Sequence, residues 1–355
     1  MELDEYHTVI VGAGPAGSSV ASSLLPKVEE GARVLMLERL PSGKFERYHR
    51  MCGEGISHAG LKEAGCLDRK FIVNDIGRAV EHWPGDIVIE TRLKGYIIDR
   101  NLVLREMRKR FEARGGSVSV DTLDSIKRSG HDFVLGTTSG REMKCRFLVG
   151  ADGAQSAVRK ALFPDQGMTK IWALQAVLDQ RPEKGAIHFH YDHRYGGGYR
   201  WEFPNGNMTR IGFPRGTDTV PENAVESHQR AIPIGTLSTI VNGNACIVGD
   251  AAALANPVSF GGIRTALVSG RMAADAIVKK NLGQYQALWR RSGFADPVFM
   301  TGYHALASMS NEEMGRSIRP YQGGLTAFNH AKAILRHPEY RELYRSYGLS
   351  MRYGW

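Results

Sequence analysis

Residues 7–38 constrain this chain more than any other segment. A short apolar run over 7–11 ends at Gly12; Ala13-Gly14-Pro15-Ala16-Gly17 follows, and then a stretch of small residues over 18–25 that suits a helix. A second apolar run, 33–37, ends on Glu38, twenty-one residues after Gly17. Strand, tight turn, helix and strand, closed by an acidic residue at that distance, is the pattern of a βαβ dinucleotide-binding unit. Gly12 makes the turn, Gly14 lets backbone approach a pyrophosphate, and Gly17 lets the helix close on the strand. The helix N-terminus, with Ala16 in its first turn, then faces the phosphates. Glu38 would accept hydrogen bonds from a ribose diol and repel a 2′-phosphate, which disfavours NADP, although Arg39 pulls the other way. An ordinary glycine-rich turn is the bland alternative, and the strands on both sides argue against it.

The remainder of the chain is long enough for more than this unit. At 355 residues it holds two or three structural units, and 42% hydrophobic with 23% charged residues is an ordinary globular balance. No apolar run approaches the length of a membrane span. The acidic start, Met1 to Glu5, does not read as a leader, so an intracellular, cytoplasmic protein is expected. Cys52, Cys66, Cys145 and Cys246 have no zinc-type or C-x-x-C spacing, so neither a disulfide framework nor a metal site is expected. The formal charge of +9 favours an anionic partner without choosing one. Its densest cluster, Arg105, Arg108, Lys109, Arg110 and Arg114, shares a helical segment with Leu104, Met107 and Phe111 and reads as a solvated outer face. Nothing marks a nucleic-acid surface.

Between the second strand and residue 99 the pattern changes to short runs, 79–82, 86–91 and 95–98, with a turn at Pro84-Gly85. A helix over 102–113 and strands near 117–120, 132–136 and 146–150 follow. A β-rich stretch then has runs at 186–191, 199–203 and 209–213, with hairpin signals at Gly196-Gly197-Gly198 and Asn205-Gly206. The buried-strand character returns at 245–248, before a small-residue helix over 262–277. The expected fold class is α/β: a discontinuous Rossmann-like dinucleotide-binding domain (1–76, 99–160 and 242–282), which the motifs of its later turns identify as FAD-binding, an inserted antiparallel-sheet substrate domain (77–98 and 161–241) and a C-terminal helical region (283–355).

The first fingerprint cannot separate FAD from NAD, because both present the same ADP half. Two later turns do. Phe147-Leu148-Val149-Gly150-Ala151-Asp152-Gly153 and Cys246-Ile247-Val248-Gly249-Asp250-Ala251-Ala252 each run a strand into an acidic-glycine turn. Asp250 could hold a ribityl hydroxyl, and Gly261-Gly262 at the next helix start could aim amide donors at a flavin pyrimidine. The set resembles the FAD-dependent oxidoreductases of the aromatic-hydroxylase fold, over residues 7 to about 280. Carried over by motif, the resemblance implies FAD contacts or supports at Gly12, Gly14, Ala16, Gly17, Glu38, Arg39, Arg100, Asp152, Asp250, Pro257, Gly261, Gly262 and Ile263. Cys52-Gly53-Glu54-Gly55-Ile56 looks like the cysteine-glycine loop that lies beside the flavin in the geranylgeranyl reductase family. Tyr199-x-Trp201-x-Phe203-Pro204 with Ile211-Gly212 is similar to that family's aromatic strand motif. The resemblance, which extends to the digeranylgeranylglycerophospholipid reductases, implies Cys52, Gly53 and Gly55 at the cofactor and Tyr199, Trp201 and Phe203 along an isoprenoid chain. The chain is short for the family and has no cysteine after Cys246.

Strand alternation alone puts Tyr199, Trp201 and Phe203 on one face and Arg200 and Glu202 on the other, which serves a substrate wall or ordinary core packing equally. The implied reaction is saturation of C=C bonds in isoprenoid lipids or diphosphates. An isolated alkene is a poor hydride acceptor, so a proton donor is required in a dry pocket. Cys52, the expected catalytic residue, and Glu54 are the candidates. With one dinucleotide fingerprint, electrons come from a transient donor: a reduced pyridine nucleotide, ferredoxin or another carrier. Two other readings stand on the same fold: an aromatic hydroxylase or halogenase, and a flavin-containing electron-transfer or binding protein. The tail, ending Tyr353-Gly354-Trp355, would suit peripheral contact with an anionic membrane at its inner face, or would cover an apolar pocket, which is the favoured expectation.

Overall fold

The computed structural model describes residues 3–50, 52–163 and 167–355. The chain opens with β1 (Asp4–Val11), α1 (Pro15–Leu24), β2 (Val34–Glu38) and α2 (Ser42–His49). A first excursion comprises β3 (Gly55–Ser57), α3 (His58–Glu63), β4 (Ile72–Trp83) and β5 (Ile87–Ile98). Then α4 (Arg100–Glu112) leads back to β6 (Ser117–Val120), β7 (Leu123–Ser129), β8 (Asp132–Thr137), β9 (Glu142–Gly150) and α5 (Ala157–Leu162). The second excursion runs through β10 (Thr169–Leu178), β11 (Ala186–His190), β12 (Arg200–Asn205), β13 (Met208–Pro214) and β14 (Ala224–Ile234). After β15 (Val241–Asn242) and β16 (Ala245–Ile247) come six helices: α6 (Ile263–Val278), α7 (Leu282–Arg291), α8 (Val298–Ser308), α9 (Asn311–Ile318), α10 (Ala327–Arg336) and α11 (Arg341–Tyr353).

The first sheet has the order β15-β16-β9-β1-β2-β6, parallel from β16 to β6, with the β7–β8 hairpin attached at β9. All five residues of β2 are buried, as expected of a parallel strand covered on both faces. α1 starts with Gly14 as its N-cap and Pro15 in the first turn, where the missing N–H costs nothing. Cys145 and Cys246 sit in this core, and burial pushes both thiols up to about 12. The expected basic cluster is indeed an outer face: Arg105, Arg108 and Arg110 of α4 pair with Glu46, Glu112 and Glu106.

The second sheet has the order β14-β10-β13-β12-β11-β4-β5-β3, antiparallel throughout except for β11 on β4. The short runs expected over 79–98 are two twelve-residue strands, β4 and β5, and register shifts at Ile72/Asn74 and Ile76/Arg78 break their alternation. Asn205-Gly206 does close a hairpin, β12–β13. Gly196-Gly197-Gly198 also lies in a hairpin, at the end of the longer connection between the antiparallel strands β11 and β12, which contains a 3-10 turn at His193–Tyr195. Two long strands, β10 and β14, were not visible in the sequence. The helices α8, α9 and α11 pack Phe299, Leu306, Met314, Ile318, Tyr344 and Tyr347 onto Trp83, Ile87 and Ile89 of the second sheet. Among the described residues no helix is long and apolar enough to cross a membrane.

Candidate active site

The first wall is built by the turns at the carboxyl ends of β1, β9 and β16. Gly12 has φ +102°, a left-handed backbone that glycine alone adopts without strain, and its N–H donates to the Leu37 carbonyl at 2.7 Å. A Cβ on Gly17 would overlap the Gly12 carbonyl, so α1 can approach the turn only with glycine there. The Glu38 carboxylate braces the same turn, accepting from the N–H of Ala13 and of Leu40, each at 2.9 Å. A carboxylate offers about four acceptor sites, so two remain for a ribose diol. Asp152 caps α5 through Oδ2, accepting from Ala157 N–H at 2.6 Å, while its buried Oδ1 has no partner among the described residues. Burial raises the Asp250 carboxyl, and the nearest cation, Arg230, stands 3.7 Å away and pulls it back down. The N-terminus of the sixteen-residue α6 opens here through Gly262 and Ile263, while the Gly261 N–H donates to Ser259 Oγ at 3.3 Å.

One cavity of about 410 Å³ joins this wall to the second sheet. Gly12, Gly14, Ala16, Glu38, Arg39, Cys52, Gly53, Gly55, Arg100, Asp152, Asp250, Gly261, Gly262 and Ile263 line it, together with Tyr199, Trp201 and Phe203. Gly17 and Pro257 stand behind the lining. Arg100 lies at the wall as a pin: its Nε donates to the His49 carbonyl at 2.8 Å and its guanidinium faces Glu54 at 3.9 Å. A glycine cradle beside a helix N-terminus, spare acceptor sites at Glu38 and the unpartnered Asp152 Oδ1 together fit FAD laid along the first wall.

The second wall follows from register. Glu81 pairs with Phe189, Phe189 with Trp201, Trp201 with Gly212, Gly212 with Gln175 and Gln175 with His228, so one row of side chains crosses six strands on the cavity side. Its centre is aromatic. The Phe189 ring stands edge-on to Tyr199 at 5.1 Å and to Phe203 at 5.5 Å, and Tyr199 stacks on Phe260 at 5.2 Å. Trp201 lies across Gly212, where any Cβ would overlap its ring. Tyr199 donates to the Ser259 carbonyl, and burial pushes its phenol far up. Trp355 closes the far side against Gly55 and Gly95, and Ser57 Oγ donates to its carbonyl at 2.5 Å. The tail is thus turned inward, with Tyr353 edge-on to Phe294.

The Cys52 loop joins the two walls. Arg210 of β13 donates to the Cys52 carbonyl at 2.6 Å and to Glu54 Oε2 at 2.7 Å, while Glu54 Oε1 faces Arg100. Both carboxylate oxygens of Glu54 are therefore committed to holding the loop, which corrects the expectation that Glu54 competes with Cys52 as an acid. Glu54 itself adopts a left-handed φ of +58°. Cys52 is half-buried at the cavity edge, and its Sγ accepts from the Glu54 N–H at 3.4 Å. Gly53 lets Phe203 close down, since a Cβ would come 2.8 Å from its ring.

Several lining residues carried no sequence signal. His49 is buried beside Gly14, and burial, reinforced by Arg100 and Arg230, holds it well below its usual value and so neutral. Arg230 stacks over Tyr48 at 4.5 Å. Gln175 is 5% exposed, and neither of its amide atoms has a partner among the described residues.

No protein-family model matches the chain. It is 31% identical over 319 residues to digeranylgeranylglycerophospholipid reductase 1 of Methanopyrus kandleri, covering 78% of this chain and 81% of that protein. It is 29% identical over 310 residues to the digeranylgeranylglycerophospholipid reductase of Methanocella arvoryzae, covering 77% of each. Among solved structures, a geranylgeranyl bacteriochlorophyll reductase-like protein from Thermoplasma acidophilum aligns with a TM-score of 0.82 at 20% identity, over 96% of this chain and 100% of that one. The p-nitrophenol 4-monooxygenase of Pseudomonas putida aligns with a TM-score of 0.71 at 14% identity, over 96% and 99%. At those identities the structures speak for the fold.

Proposed function

The chain belongs to the digeranylgeranylglycerophospholipid reductase family, and from that premise we infer that it is an FAD-dependent reductase saturating C=C bonds in the isoprenoid chains of membrane-lipid precursors. The observation that carries this reading is the continuity of one cavity from the Gly12–Gly17 turn to the aromatic chamber of Phe189, Tyr199, Trp201 and Phe203. An electron carrier needs only an exposed cofactor edge, and a ring hydroxylase needs a compact polar pocket. A wall of four large aromatics suits a long unsaturated chain better than either.

Bound and reduced, FAD supplies hydride to one alkene carbon. The chain's own residues do the rest. The N-terminus of α6 favours negative charge at the edge of the site facing Gly262. The aromatic wall excludes water and lays the isoprenoid alongside the Cys52 loop, a geometry that lowers the barrier by orientation. Cys52 Sγ, at the seam of the two walls, holds the proton for the second alkene carbon. Tyr199 keeps its proton and anchors the wall through Ser259. Electrons arrive from a transient carrier.

The test is anaerobic: reduce the flavin with dithionite, add geranylgeranyl diphosphate or an unsaturated archaeal-type ether lipid, and follow flavin reoxidation with product mass. Reoxidation with a gain of two mass units per bond is expected, slowed at least tenfold in Cys52→Ser. A flavin that stays reduced with every isoprenoid, yet reoxidises in air with an aromatic substrate, would replace this reading with the hydroxylase.

A further inference from the structure

The row of side chains across the second sheet changes character at Gly212. On one side stand Trp201 and Phe189; on the other stand Gln175 of β10 and His228 of β14, directly paired and both buried. Arg230, two residues beyond His228 on the same face, has its NH1 buried without a partner among the described residues. Gln175 is the sharper anomaly. A buried amide with no hydrogen bond loses its hydration without replacement, and Gln175 leaves both its donor and its acceptor unmet while facing the cavity. His228 Nε2 lies 3.1 Å from Glu226, and Arg47 of α2 is close enough to act on its charge. The aromatic chamber therefore ends, on its β10–β14 side, in a polar patch carrying one half-buried guanidinium, whose NH2 faces Asp250 at 3.7 Å and whose NH1 is left over.

We propose that Gln175, His228 and Arg230 form a subsite for a phosphate-bearing ligand, positioned so that a phosphorylated isoprenoid lays its chain against Trp201 and Phe189 and its phosphate against β10 and β14. The inference rests on the reductase reading. Phosphate is the chemistry that matches an amide donor, a ring N–H and a guanidinium together. It reaches this patch from either of two sources, the head of the lipid substrate or the phosphates of a nicotinamide electron donor. The backbone cradle that would hold the FAD pyrophosphate, at Gly12 to Gly17, belongs to the first wall.

Gln175→Met and His228→Phe keep volume and remove the polar atoms. Gln175→Met takes away an unmet amide, so its melting temperature should match or exceed the wild type, and a folding defect is not expected. With FAD-loaded protein, calorimetric titration of inorganic diphosphate should show binding to wild type that weakens about tenfold in each variant. In anaerobic reoxidation the half-saturating concentration of geranylgeranyl diphosphate should rise by a similar factor, with geranylgeraniol, the same chain without phosphate, unaffected. If the loss falls instead on flavin reduction by NADPH, the subsite stands and its source is the donor. Diphosphate binding equal in all three proteins, or a variant that loses FAD rather than phosphate discrimination, overturns the proposal. Should no isoprenoid reoxidise the wild-type flavin, the reductase reading fails, and the diphosphate titration still decides the subsite.

Discussion

A carboxylate beside an aromatic wall is an uncomfortable neighbour, and Glu81 shows how it is tolerated. It stands next to Phe189 on the cavity face of β4 and accepts from the Trp83 indole N–H at 3.1 Å. Burial pushes its pKa from 4.5 up to about 7. Through pH 4.5 to 7 the folded protein holds a proton that the unfolded chain has released, so stability falls as pH rises through that window. Glu81→Gln removes the titration and keeps the shape. The variant should gain stability over wild type at pH 8, with the gain shrinking toward pH 5, as read by urea denaturation at both; a pH-independent difference would show that Glu81 is solvated. Gly212 makes a second test. Gly212→Ala places a methyl where the Trp201 ring lies, so flavin content should hold while isoprenoid-driven reoxidation slows at least tenfold, and an unchanged rate would remove Trp201 from the substrate wall. Tyr199, Trp201 and Phe203 were readable in the sequence because three large aromatics alternate with polar residues. Gln175 and Arg230 were not, because a lone polar side chain facing inward looks the same in sequence as one facing water.

At the scale of elements, the parts that could be read were those whose pattern matches their burial. The parallel strands β2 and β16 are apolar almost throughout, β1 and β9 become apolar toward their carboxyl ends, and each of the four ends in a glycine or acidic turn whose spacing is fixed by the dinucleotide it would hold. β14 defeats the same reasoning: over Ala224–Ile234 its inward positions include His228 and Arg230, so alternation points the wrong way. In β4 the register shifts at Ile72/Asn74 and Ile76/Arg78 break the period of two, which is why one long strand reads as fragments. The clearest prediction at this scale concerns α11. Leu343, Tyr344 and Tyr347 anchor it on the second sheet, and it delivers Trp355 to the chamber. Trp355→Ala opens the wall at Gly55 and Gly95 while leaving the anchor in place. Loss of a large, partly exposed aromatic should cost about 1–3 kcal/mol, measured by denaturation, and the chamber should accept bulkier chains in the reoxidation assay. Unchanged stability and chain preference would show that the tail merely rests on the surface.

For the whole molecule, the issue is what keeps two sheets of different architecture in register so that a cofactor on one faces a substrate on the other. The described contacts concentrate this task on few residues. Arg210 reaches from the second sheet to the Cys52 carbonyl and to Glu54, and Glu54 faces Arg100 at the start of α4, beside the first sheet. Arg210 and Glu54 are only 4% and 6% exposed at their side chains, so neither charge has water to fall back on. Replacing such a pair with apolar groups can be neutral, whereas removing one partner strands the other and costs about 3–5 kcal/mol. Arg210→Met should therefore destabilise strongly, and Glu54→Leu added to it should recover part of the loss. The same clamp sets the cofactor's surroundings. Because a ligand that binds only the folded state stabilises by mass action, excess FAD should raise the wild-type melting temperature. In Arg210→Met the rise should be smaller than in wild type, since the freed Cys52 loop no longer frames the seam. An equal rise in both would mean that the first wall binds FAD without help from the second, and that the clamp serves the substrate side alone.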